Sequence, residues 1–294
     1  MSSALNFEEY IHRDVCSVSL WHIADRELLV KALAWIYARK PQHAERVLAA
    51  LNPGKAHFPG KIFENAIAKL SIELHDLEED LKSSNPDLVD KAEKIAEKRR
   101  EQRDGLLFQN ISWLAAKIRN RNILSSPPHV RLSDKGFDST FIRVSDGDLK
   151  LTALFICEDK ATIHPRKTIQ SSVWPEFRSI ENEDRDDEIL ESVSAILKNT
   201  LTIDPEEVFK DVMWNNIRGY RVSVTATKKD ERKTNYAHLF EGYDEVVKKN
   251  VDHRTACVLP LDNIRLFLDG LANDTAAELY MMGTMECLTL SQGI

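Results

Sequence analysis

The feature that most constrains this chain is a change of hydrophobic period near SSPPH, Ser125 to His129. Before it, apolar residues recur at the three- and four-residue spacing of amphipathic helices. After it, they gather in short runs rich in aromatic and β-branched residues, as in strands. A chain with both periods buries helical stripes against a sheet, which predicts a layered α/β protein. On the helical side, Asp25 suits the N-cap of a helix through Ala38, and Pro41 suits the first turn of the next, to about Leu51. Ile62, Ala66, Ile67, Leu70 and Leu74 share one face of a further helix. SSNPD breaks the chain, and a charged helix over Leu88–Arg103 then leads into the apolar GLLFQNISWLAAKI. Trp35, Phe63 and Trp113 read as core. On the other side, FDSTFIRV and LKLTALFIC are strands joined by SDGD, where Asp146-Gly147 is a hairpin signal. A helix is expected over Asp186–Asn199, strands over Tyr220–Thr227 and Ala256–Leu261, and a final helix over Ile264–Ala272. The pattern divides into a helical N-terminal region, 1–95, and an α/β region, 96–294.

Composition narrows the function. No stretch approaches the ~18–20 apolar residues of a membrane span, and the N-terminus lacks the basic-then-apolar pattern of a signal peptide. Cys16, Cys157, Cys257 and Cys287 are widely spaced with no CxxC pair. That speaks against a zinc site or disulfide framework and for a reducing compartment, so the expected location is cytoplasmic. The net charge of −7 is awkward for a protein that grips phosphate unaided. The acidic excess falls after residue 124. Basic clusters lie at Lys98, Arg99, Arg100 and Arg103, at Lys117, Arg119 and Arg121, and at Lys228, Lys229, Arg232 and Lys233. The plainer and favoured reading of each is a solvated helix face or loop. A weak grip on DNA, helped by a partner, fits this balance.

GxSxG, HExxH, a Walker loop and GxGxxG after a strand are all missing, and the nine histidines show no metal-ligand spacing. His164 lies near the site described next, but a lone histidine is more often structural. What remains is Gly136-Phe137-Asp138 opening one strand and Glu158-Asp159-Lys160 closing the next. Phosphodiester hydrolysis needs a hard divalent cation, Mg²⁺ or Mn²⁺, to polarise the phosphate and lower the pKa of a water. Asp138, Glu158 and Asp159 are the candidate metal ligands. Lys160, two residues after Glu158, shares its strand face and can orient the attacking water and offset charge on the phosphate. ExK is a short signal: Glu231-Arg232-Lys233 and Asp148-Leu149-Lys150 also carry it or its DxK form, in a polar loop and beside the turn. Only Glu158-Asp159-Lys160 follows an apolar strand. A surface ion pair between Glu158 and Lys160 is the alternative reading. A shared site also dictates register. A two-residue turn at Asp146-Gly147 pairs Asp138 with Phe155, on the face opposite Glu158. A bulge or odd-numbered loop around Ser145–Leu149 is therefore predicted, bringing Asp138 opposite Ile156 or Glu158.

RDGLLFQNISWLAAK, GFDS, LFICEDKAT and EFRSIENEDRDDEILESVSAIL together resemble the HamA effector nucleases of Hachiman anti-phage systems, over roughly residues 100–200. The resemblance implies an α/β fold with a PD-(D/E)xK-type mixed-sheet nuclease core flanked by helices. It further implies divalent-metal-dependent DNA cleavage and a superfamily-2 helicase partner, HamB-like. By position, Asp138 and Glu158 would be metal ligands and Lys160 the catalytic lysine. Many nucleases of that fold place a Glu on the helix before the strands, where this chain has Gln109, uncharged and a poorer ligand. Two other readings stay open: a non-catalytic adaptor or scaffold, and a restriction or repair nuclease outside defence. The helices of residues 1–95 are expected to supply much of a partner-docking surface, or else to cap the sheet.

Overall fold

The computed structural model describes residues 3–54, 56–129, 136–145, 151–198, 217–228 and 236–291. Seven strands form one mixed sheet: β1 (Leu5–His12), β2 (Cys16–Ile23), β3 (Leu124–Ser125), β4 (Ser139–Val144), β5 (Leu151–Lys160), β6 (Arg218–Thr227) and β7 (Arg254–Leu261). Their order is β1-β2-β7-β6-β5-β4-β3. The inner strands β2, β7, β6 and β5 run parallel, with an antiparallel neighbour at each side. Parallel strands are covered on both faces, which is why nearly every residue of β6 is buried.

The helices are α1 (Arg26–Tyr37), α2 (Pro41–Leu48), α3 (Ile62–Leu70), α4 (Glu78–Leu81), α5 (Pro86–Arg119), α6 (Pro165–Thr168), α7 (Trp174–Glu181), α8 (Asp186–Lys198), α9 (Tyr243–Val246) and α10 (Ile264–Ser291). One core joins α1, α5 and α10 to the sheet face carrying Trp21, Phe141, Cys157, Cys257 and Leu259. The other joins α7, α8 and α9 to the face carrying Leu20, Ile142, Ile156, Val222, Val224 and Val258. Asp25 caps α1 as expected, its carboxylate accepting from the Leu28 N–H at 2.9 Å. The charged and apolar halves of residues 86–119 are one continuous helix, started by Asn85 and Pro86.

Three expectations need correction. Residues 1–95 are not purely helical, because β1 and β2 form a hairpin there and β2 pairs in parallel with β7. Cys16, Val18 and Leu20 face one core while Trp21 faces the other, so β2 has the two-sided burial of an inner strand and no clean alternation to read. The hairpin is locked in by Arg254, which is buried. Its Nε donates to the Val15 carbonyl at 2.5 Å and its Nη1 to the Val247 carbonyl at 2.9 Å. The expected boundary at 95/96 also falls inside α5, whose buried end (Leu106–Ala116) lies on the shared core. The final helix runs on well past Ala272. No helix among the described residues is long and apolar enough to cross a membrane.

Candidate functional site

β4 and β5 are antiparallel with Ser139 opposite Cys157 and Arg143 opposite Ala153, but Val144 pairs with Leu151. Thr152 is thus the extra residue of a bulge. It lies just outside the expected span of Ser145–Leu149, most of which, with the Asp146-Gly147 turn, is beyond the described residues. The shift sets the register needed: continuing the ladder past Ser139 brings Asp138 level with Glu158. Gly136, at φ +115, makes the approach in a conformation that suits only glycine. Phe137 then anchors the strand start, its ring under the Arg185 guanidinium (4.6 Å) and its carbonyl accepting from His129 Nε2 at 2.7 Å.

The three residues singled out as catalytic converge. Lys160 Nζ donates to Asp138 Oδ2 at 3.1 Å and lies 2.7 Å from Glu158 Oε2. Asp138 is further held by the Asp159 backbone N–H (2.7 Å) and by Gln109 Nε2 (2.5 Å). Gln109 therefore reaches the site from α5, not as a charged ligand but as a donor that fixes a carboxylate. Glu158 is buried, and burial together with the charge of Asp138 pushes its pKa from 4.5 up to about 8. Burial works against the charge of Lys160, yet Glu158 and Asp138 outweigh it and raise its pKa. One ammonium thus faces two carboxylates.

Asp159 takes a different place. Side chains alternate along β5, so its carboxylate turns to the α5 face. Ser112 Oγ donates to Asp159 Oδ1 at 2.6 Å and lies 3.1 Å from Ser223 Oγ, while Arg221 Nη2 donates to Ser112 Oγ at 2.5 Å. Asp159 is fully enclosed, and burial raises its pKa to about 6 against the pull of Arg221. Its Oδ2 has no hydrogen-bond partner among the described residues. The expectation that Asp159 joins Asp138 and Glu158 as a side-chain ligand is corrected on this geometry. Ser112, Ser223 and Arg221 were not singled out from sequence. The available signal was the polar residues Gln109, Asn110 and Ser112 within one turn of an apolar helical stretch.

Gln109 and Lys160 border a cleft of about 510 Å³ between α5, the exit of β5 and α10, lined also by His164 and Arg265, while Asp138 and Glu158 lie behind its lining. Its floor is pinned by Thr162, whose N–H donates to Thr225 Oγ1 at 2.8 Å. His164 stands exposed on the wall. Glu97 and Glu101 also line the cleft, with Arg265 Nη2 2.6 Å from Glu97 and Nη1 2.6 Å from Asp104. Among the described residues, no group of three or more His, Cys, Asp and Glu is arranged to hold a metal ion. The second ExK and the DxK lie outside the described residues. Comparison with protein-family models gives no match, and no curated protein matches the chain.

Proposed function

We propose that this protein is a divalent-metal-dependent DNA nuclease of the PD-(D/E)xK kind, acting in anti-phage defence with a superfamily-2 helicase as partner. The observation that carries the reading is the convergence of Asp138, Glu158 and Lys160, which come from two strands, at the end of β5 beside an open cleft. Open α/β sheets hold ligands at the carboxyl ends of their parallel strands, and β5 ends there. The similarity of residues 100–200 to HamA effectors supports the same reading and is the source of the defence role and the helicase.

The donor set fits a hard cation. Asp138 and Glu158 offer oxygens alone, and a cation there would relieve the burial and repulsion that keep a proton on Glu158. Asp138 and Glu158 would hold the ion. Mg²⁺ or Mn²⁺ bound there would supply a Lewis acid for the phosphate and a water of lowered pKa. The chain's own residues do the rest. Gln109 and the Asp159 N–H fix the Asp138 carboxylate, and Lys160 stabilises charge developing on a phosphate oxygen. The Ser112–Asp159–Arg221 network holds β5 against α5. Glu97 and Glu101 on the cleft wall disfavour a long unaided grip on DNA, which suits substrate delivery by a partner.

Plasmid digestion tests the proposal. Purified protein with Mg²⁺ should cut DNA, while EDTA or Glu158→Ala should abolish cutting. Cleavage that survives Glu158→Ala would refute the assigned site. No cleavage by the wild type, alone or with a co-purified helicase, would favour the adaptor reading.

A further inference from the structure

We infer that a second cleft, at the other end of the parallel strands, binds a nucleoside monophosphate, independently of the nuclease reading. The cleft holds about 560 Å³ and lies on the α5 face, lined by Arg119, Arg143, Arg221, Phe155, Asp252 and Thr255 among others. That is within the ~300–1,000 Å³ of small-molecule pockets.

Sheet register explains why these groups meet. Thr255, Arg221 and Cys157 stand side by side in one row across β7, β6 and β5. One row nearer the strand starts, Gly219 of β6 lies beside Phe155 of β5, which lies opposite Phe141 of β4. A Cβ on Gly219 would come within 3.0 Å of the Phe155 ring, so glycine lets that ring lie down over β6. Phe155 is half-buried, which leaves part of it open to the cleft.

The charges are unusual for a solvent gap. The exposed Arg143 guanidinium lies 5.7 Å from the centre of the Phe155 ring and forms no ion pair among the described residues. Arg221 is more than nine-tenths buried, and its Nε has no hydrogen-bond partner among the described residues. Its nearest carboxylate, Asp159, is 3.8 Å from Nη2. Arg119 is held by Glu9 at 2.7 Å. Arg119 and Arg221 have Glu9 and Asp159 as partners, so Arg143 is the lining guanidinium left to receive an anion, and guanidinium is the group that matches phosphate oxygens in pairs. Bare phosphate accounts for only part of the lining. The Phe155 ring, over which the exposed Arg143 guanidinium lies, offers a face for a planar ring once Arg143 turns to the phosphate. Asp252, which repels a bare anion, is suited to accept from sugar hydroxyls, as acidic residues do for ribose in dinucleotide sites. Phosphate, sugar and base each have a counterpart.

Isothermal titration of the full chain, in excess EDTA to exclude metal-bridged binding, tests this. The probes are 5′-AMP, 5′-GMP, 5′-CMP and 5′-UMP, with adenosine and inorganic phosphate as controls. At least one nucleotide should bind tenfold or more tightly than either control. Arg143→Ala and Phe155→Leu should each weaken that binding by tenfold or more; the first is exposed and the second conserves apolar volume, so both should fold. Absence of nucleotide binding, equal binding of phosphate and nucleotide, or wild-type affinity in both variants would overturn the inference.

Discussion

Glu158→Gln is the substitution that best separates charge from shape at the candidate site. An acid with a folded pKa above its unfolded value keeps an extra proton in the folded state between the two, so stability falls as pH rises through that window. For Glu158 the window runs from 4.5 to about 8. Each unit corresponds to about 1.4 kcal/mol, so the full effect approaches roughly 5 kcal/mol, lowered where Asp138 shares the proton. Lys160 is charged throughout this range and adds no slope of its own. Glutamine keeps the shape and removes the titration. Metal-free wild type should therefore lose stability from pH 5 to pH 8 relative to Glu158→Gln, and the variant should melt higher at pH 8. At roughly 2 °C per kcal/mol for a chain of this length, the difference reaches at most about 10 °C. Thermal or urea melts in EDTA at pH 5, 6, 7 and 8 measure it. Parallel stability–pH curves for the two proteins would refute the argument, since Glu158 would then ionise in the folded state as easily as in the unfolded chain. Saturating Mg²⁺ should flatten the wild-type curve and leave the variant's nearly unchanged.

Lys160→Ala removes the one ammonium between Asp138 and Glu158, so in EDTA at pH 8 it should cost about 3 kcal/mol. Mg²⁺ should restore part of that loss; no metal effect on its melting would count against the donor set. Ser112→Ala deletes the hydroxyl joining Asp159, Ser223 and Arg221 and should lower the urea-derived stability by about 1–3 kcal/mol. An unchanged midpoint would mean that the network bears no strain on the fold. Deleting residues 1–95 should give a chain that does not fold. The cut removes β1, β2 and α1 and leaves β7 as a bare edge beside the exposed apolar face of α5. A cooperative melt from the truncated chain would show that 96–294 is self-sufficient after all.

How much was legible in the sequence follows from how each element is buried. α1, α8, β4 and β6 carry a cap, a stripe or a β-branched run, and each lies within a few residues of the expected span. Asp138 and Glu158 could be brought together on paper because strand period and turn length fix the face, so a bulge was required before it was seen. β2 could not be read the same way. Its partner β7 is more than two hundred residues away, and no local pattern announces a long-range parallel pair. Asp159 shows the same limit at one residue. Its spacing puts it next to the site in sequence, yet alternation sends its carboxylate through the sheet to Ser112 and Arg221.

That alternation assigns the adjacent charges of Glu158-Asp159-Lys160 to two different tasks. Glu158 and Lys160 turn to the opposite face and meet Asp138, where burial and repulsion hold a proton that a cation would displace. Asp159 turns inward and, with Ser112 and Arg221, closes a pair deep between α5 and the sheet. The two sets still meet, because the Asp159 backbone N–H donates to Asp138. A change on the inner side can therefore move the outer carboxylate without touching it. Asp159→Asn keeps that N–H and halves the inner charge pair, so it should shift stability more than it shifts any metal-dependent property. Asp138→Asn acts in the opposite sense, weakening the outer group while the buried network stays whole.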